Sequence, residues 1–164
     1  MSKIFPGRYT VTTDEPFTVF LIGMRINKLW AVHKWWPVSA AMGPMIAELS
    51  GHPEKGYLGG YTLPMWRGVV MVQYWRSFAH LEAFARNQED PHLSAWKRFN
   101  QAIGDDGSVG VWHETYVIEP GKFENIYVNM PRFGLGRALD HGPVLGRRHT
   151  ARKRLQAAEA PEPA

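Results

Sequence analysis

The run Val69-Val70-Met71-Val72-Gln73-Tyr74-Trp75-Arg76-Ser77-Phe78-Ala79-His80-Leu81-Glu82-Ala83-Phe84 decides the fold. Its first half is a strand-length stretch of β-branched and aromatic residues with little polar alternation, the pattern of a strand covered on both faces. Ser77 is placed to cap a helix. Phe78, Leu81, Phe84 and Ala85 then return at helical spacing. A strand that enters a helix with almost no loop belongs to a mixed layer of sheet and helix.

Upstream, residues 17–24 read as a second dense strand, Phe-Thr-Val-Phe-Leu-Ile-Gly-Met. Asn27 is a predicted helix cap, and Leu29, Val32, His33 and Trp36 fall on one helical face. Pro37 should kink or break that helix. A second helical piece carries Met42, Met45, Ile46 and Leu49 at i, i+3, i+4 and i+7. Residues 57–63 read as a strand weakened by two glycines, and 64–68 as a turn or wide loop. Downstream, Asp90-Pro91 opens a helix bearing His92, Trp96, Phe99 and Ile103. Residues 109–118 and 123–130 read as two further strands, with turns before each.

The order is therefore β-α-β-β-α-β with a strand appended: an α+β, ferredoxin-like βαββαβ arrangement. Helices cover one face of such a sheet. The central strands are apolar on both faces, so the other face also wants cover. A second copy of the chain supplies it, and the expected assembly is a homodimer closing face to face as a dimeric α/β barrel. The appended strand is expected to pair with the partner's sheet edge. Residues 1–16 read as an N-terminal arm, 17–131 as the barrel domain, and 132–164 as a basic, solvated tail.

Composition bounds the chemistry. At 164 residues the chain can bury a core without staples. It has no cysteine, which excludes disulfides, thiolate metal sites and cysteine nucleophiles. A cytoplasmic setting is expected. The N-terminus lacks the apolar core of a signal peptide, and the longest apolar run, 17–24, is too short to span a membrane. The net charge of +4 belongs to the tail, since residues 132–164 hold seven of the 19 Lys/Arg and three of the 15 Asp/Glu. A neutral body gives no footprint for nucleic acid. Seven tryptophans imply an apolar core, interface or pocket.

Two sets of residues carry a resemblance. Tyr74-Trp75-Arg76-Ser77, then Leu81-Glu82-Ala83-Phe84, then His92 with Trp96 and Phe99, resemble the antibiotic-biosynthesis-monooxygenase superfamily of dimeric α/β barrels. Gly110-Val111-Trp112-His113-Glu114-Thr115-Tyr116 and Ile126-Tyr127-Val128-Asn129-Met130-Pro131 resemble, more narrowly, the fumagillin-pathway polyketide monooxygenase-like group. The likeness runs over roughly residues 15 to 136. It implies oxygenation of a small hydrophobic, polyketide-like or aromatic compound. It implies no agreed catalytic residues. Two other functions stay open: a haem-binding barrel and a non-enzymatic binder of small ligands, since one scaffold hosts many functions.

The candidates for chemistry follow from residue type. His113 and Glu114 are neighbours on a strand and point to opposite faces, so only one can reach a cavity under the helices. Either would serve as base, or as a packed histidine and an ion-paired carboxylate. Arg76 would clamp an enolate oxygen or form a plain salt bridge. Trp75, Trp112 and Tyr116 would line a substrate pocket, with Asn129 as a polar anchor. His80 and His33 would border it, or be half-exposed amphipathic histidines. No metal centre is expected, because the histidines are scattered without ligand spacing. A cofactor is not required, although haem, needing one histidine from among His33, His80, His92 and His113, is compatible with the sequence. Gly134-Leu135-Gly136 lacks the setting of a dinucleotide loop.

Overall fold

Strand register organises the molecule around a four-stranded antiparallel sheet in the order β3-β4-β2-β5. The strands are β2 (Phe17–Ile26), β3 (Tyr57–Met65), β4 (Gly68–Trp75) and β5 (Val109–Ile118). With α1 (Val32–Gly51) between β2 and β3, and α2 (Phe78–Arg86) after β4, this is the ferredoxin-like βαββαβ order. The computed structural model describes residues 2–86, 103–146 and 148–157. The helix expected from Asp90-Pro91, with His92, Trp96 and Phe99, lies outside the described residues.

Among the described residues, the helix-covered face holds two cores. At one end Val38 of α1 packs with Met24 and Val109, joined by Trp35 and Val111. At the other, Leu49 of α1 and Leu81 of α2 enclose Trp75, which is 0% exposed, with Phe20, Tyr57 and Phe84 around them. Burying a side chain of this size contributes about 2–3 kcal/mol. These two anchors explain why α1 is one helix where a break at Pro37 was expected. It continues through Pro37 and Pro44, because each proline removes one intrahelical bond while packing holds both ends of the helix. Asn27 is not its cap, since the helix starts after Ala31. Asn27 instead joins loops, accepting from Arg25 on its side chain and from Arg67 on its carbonyl. Ser77 does cap α2, its hydroxyl accepting from the His80 amide at 3.3 Å.

The other face is partly covered from within the same chain. A three-stranded sheet in the order β6-β1-β7 joins β1 (Phe5–Val11), β6 (Tyr127–Met130) and β7 (His141–Pro143). Two short helices accompany it, α3 (Leu135–Ala138) and α4 (Ala151–Ala157). Val11, Leu135, Tyr127 and Phe123 pack over Phe17, Val19, Val72 and Tyr74 of the main sheet. The residues read as an arm thus supply a central strand. The appended strand pairs with β1 of its own chain, where pairing with a partner's edge was expected. It is also shorter than 123–130. Asn125 gives the reason: its side chain accepts from the Val11 amide at 2.8 Å and donates to the Val11 carbonyl at 3.2 Å. An amide side chain makes the bonds that a strand backbone would otherwise make.

The segment after residue 131, basic in composition, carries ordered elements. Arg154 is buried and donates to Glu124 through Nε at 2.6 Å and also through Nη2, while Nη1 donates to the Arg148 carbonyl. Gly134, at φ +54°, sits tightly against the rings of Tyr61, Tyr74 and Tyr127, a left-handed position that suits glycine. Burial holds the Tyr74 phenol well above its ordinary value, reinforced by the neighbouring Tyr61, and burial raises Tyr127 as well.

Three outcomes follow. A Cβ on Gly68 would stand 1.9 Å from the Met24 carbonyl oxygen, so Gly68→Ala should destabilise the protein by roughly 3 kcal/mol in chemical denaturation. Gly43→Ala, at an open helical position, should stabilise it by up to about 1 kcal/mol. The tyrosines set the alkaline limit. In the unfolded chain Tyr74 ionises near pH 10, and in the fold it keeps its proton to higher pH. Above about pH 10 the native state binds more protons, so stability should fall as pH rises, by about 1.4 kcal/mol per pH unit for this group. Below about pH 10 its contribution is complete. Urea unfolding at rising pH should show a shallower alkaline loss for Tyr74→Phe than for the parent protein.

Candidate functional site

The register places side chains of the helix-covered face in rows across the strands. One row holds His113, Ile22, Met71 and Thr62; the next Thr115, Phe20, Gln73 and Gly60; the next Val117, Thr18, Trp75 and Tyr57. Ile22 and Met71 are buried yet belong to neither helix-side core. They mark the middle of the floor, between the two anchors of α1. This is the candidate site: an aliphatic and aromatic floor with a few polar groups set into it, the composition ligand sites favour.

His113 faces this floor, its ring 5.7 Å from that of Phe20. Its place on the edge strand β5 leaves it exposed. Trp75 is on the same face, enclosed at one end of the floor, with Tyr57 edge-on at 5.5 Å. Burial raises the Tyr57 phenol above its ordinary value. These side chains can offer a base, an apolar bed and hydrogen-bond donors to one small molecule.

The other expected residues stand elsewhere. Trp112, Glu114 and Tyr116 point to the opposite face, in rows with Gly23, Leu21 and Val19. The Trp112 ring lies across Gly23, where a Cβ would meet its Nε1 at 2.4 Å. The Tyr116 hydroxyl donates to Glu114 at 2.6 Å, and that bond raises the Tyr116 phenol. So Glu114 holds a tyrosine rather than Arg76. Arg76 is exposed beyond the end of β4, its backbone amide donating to the Gly56 carbonyl. Asn129 belongs to the small sheet at φ +52° and accepts from the Gly7 amide at 2.8 Å. His33 is exposed in the first turn of α1. His80 sits against Gly56, its Nδ1 2.7 Å from the Ser77 hydroxyl. The structure therefore brings His113 and Trp75 to one floor and does not gather the other candidates there.

The sequence reading passed over Gln73 and Thr18, which the floor includes. Gln73 is 2% exposed and Thr18 0%. The available signal was an amide inside an otherwise apolar strand. Among the described residues no cluster of three or more metal-ligating side chains occurs, and no helix is long and apolar enough to cross a membrane. Haem would need one imidazole nitrogen beside an apolar surface. His113 meets that by its face, and His80 has one nitrogen held by Ser77, the kind of support an axial histidine uses.

Comparison with known proteins gives three findings. The family described as Monooxygenase af470-like matches residues 17–135. Monooxygenase af470 of Aspergillus fumigatus is 31% identical over 92 residues, covering 51% of this chain and 32% of that protein. Among solved structures, an aldoxime dehydratase in complex with butyraldoxime superposes with a TM-score of 0.63 at 15% identity, over 77% of this chain and 38% of that one. A second aldoxime dehydratase gives 0.62 at 15% identity, over 79% and 42%. These two likenesses speak to the fold. The chain spans less than half the length of each of these relatives.

Proposed function

The chain belongs to the Monooxygenase af470-like family, and from that premise we propose that it is an oxygenase for a small hydrophobic, polyketide-like or aromatic compound bound between sheet and helices. The observation that carries this is the span of the match, which takes in every strand of the main sheet. The floor supports it: apolar surface excludes water, and His113 stands on it as a base. A phenol or enolisable ketone deprotonated there is electron-rich enough to react with oxygen itself. The substrate loses two hydrogens, both from a CH2 beside the ketone or one from the phenol O–H and one from a ring C–H; the carbon gains a C=O, four electrons pass to O2, and the second oxygen atom leaves with the two hydrogens as water. Fixed donors at the developing oxyanion favour that ionisation. The same surface would equally suit a haem held by His113, which would supply oxygen activation directly.

We propose with it that the protein works as a homodimer in the cytoplasm. The far face of the main sheet keeps Leu21, Val70, Leu63 and Trp112 outside the core formed with the small sheet. A second copy laid on these residues would bury them.

An oxygen electrode with a panel of fused-ring phenols and enolisable ketones tests the enzyme. Uptake by the parent protein should fall roughly 100-fold or more in His113→Ala and change little in Glu114→Ala, which is on the other face. Undiminished turnover by His113→Ala would rule out that base. Haem absorbance that moves on histidine replacement would favour the haem reading, and tight binding without oxygen uptake a plain ligand binder. For the assembly, light scattering should give twice the chain mass, reverting to one copy in Leu21→Asp/Val70→Asp. A single-copy parent protein at micromolar concentration would refute the dimer.

A further inference from the structure

We propose that Gln73 is the group that recognises oxygen in the ligand, its amide N–H bonds donating to a carbonyl, enolate or phenolate oxygen, with Thr18 as a second polar contact. The proposal rests on the reading that a small molecule occupies the floor under the helices, and it adds what that molecule must carry.

Gln73 lies in β4 between Val72 and Tyr74, on the helix-covered face, in the row of Phe20 and Thr115. It is 2% exposed. A buried amide left without partners costs about 1–3 kcal/mol per unmet group, so its bonds decide what it is there for. The Trp75 indole N–H donates to Gln73 Oε1 at 3.0 Å. An indole nitrogen can only donate, which settles the orientation of the amide: the oxygen is spoken for and the NH2 group points away from Trp75. Trp75 is itself enclosed by Leu49, Leu81 and Tyr57, so the amide is held by a ring that cannot turn. Among the described residues no hydrogen bond from Nε2 accompanies that of Oε1, and Nε2 is not one of the side-chain atoms that are both fully buried and unpartnered.

Two further polar groups adjoin it. Thr18 is diagonal to Gln73 across β2 and β4, is fully buried, and among the described residues its hydroxyl has no partner. Beside Gln73 on β3 stands Gly60, which presents no side chain. The Tyr57 hydroxyl occupies that place, 2.8 Å from where a Gly60 Cβ would be. Burial keeps this phenol protonated as a donor. Donors therefore outnumber acceptors on this part of the floor, and the rest is Phe20, Ile22 and Met71. Such a surface binds a flat apolar body and selects for an oxygen on it. A hydrocarbon of the same shape would leave the amide unmet, and sites of this kind discriminate strongly against the analogue that lacks the polar atom.

The test uses the full chain and two probes, 2-naphthol and naphthalene, titrated against its tryptophan fluorescence. The parent protein should bind 2-naphthol at least about tenfold more tightly than naphthalene. Gln73→Leu should bring the two affinities together while keeping that for naphthalene. Trp75→Phe, which retains a ring and drops the N–H, should release the amide to rotate and lose part of the preference. Should Gln73→Leu fail to fold by circular dichroism, Trp75→Phe decides alone. Equal binding of both probes by the parent protein, no binding of either, or a preference unchanged in the folded variant overturns the proposal. Oxygen uptake is read separately: a Gln73-dependent preference without turnover keeps this inference and removes the oxygenase reading.

Discussion

Strands β2 and β4 are apolar on both sides, and everything else in the molecule answers that demand. Their even and odd residues face opposite ways, so one run of sequence asks for two roofs. Helices α1 and α2 form the first, anchored at Met24 and at Trp75. The second is assembled from chain segments remote in sequence, Val11 from the beginning and Leu135 from near the end, closing over Phe17 and Tyr74. What remains outside both roofs is the patch around Leu21, Val70 and Trp112. The floor between the anchors of α1 is itself buried, Ile22 and Met71 included, and the polar groups set into it are what mark it.

Much of this was legible in the residues. The unbroken apolar runs over 17–24 and 69–75 announce strands buried on both faces, and their order around helical patterns fixes the ferredoxin-like sheet. The small sheet was not legible. Residues 5–11 contain Pro6 and Gly7 and alternate polar with apolar only over Arg8-Tyr9-Thr10-Val11, and β7 has three residues, two of them Gly142 and Pro143. Strands so short and irregular exist through their neighbours, here the tyrosines and Leu135 behind them, rather than through local propensity. Composition likewise marked residues beyond 131 as solvated, because a count of Lys and Arg cannot reveal that Arg154 finds Glu124.

The site was legible in kind and only partly in membership. Alternation along β5 already states that His113 and Glu114 cannot share a pocket, and the register confirms the division. It does not say which face lies under helices; that depends on the pairing of β5 beside β2. Trp112 and Tyr116 looked like pocket walls because aromatic residues do line pockets, yet parity sends them with Glu114. Gln73 escaped attention because a lone amide reads as an imperfection in a strong strand. Its meaning appears only once Trp75 is seen to hold it.

The placement of β1 has a consequence for the birth of the molecule. It is made well before β6 and β7, yet it is the middle strand of its sheet, flanked by both of them. Both of its neighbours are made only after the main sheet, so no local hairpin can shelter it. The main sheet can close once residue 118 is synthesised, while Tyr74 and Phe17 wait for residues 127–143 to bring the strand home. During that interval an unpaired strand edge and an uncovered aromatic face coexist on a nascent chain, a state prone to association. Docking of residues 127–143 is thereby the event that ends the vulnerable phase of folding.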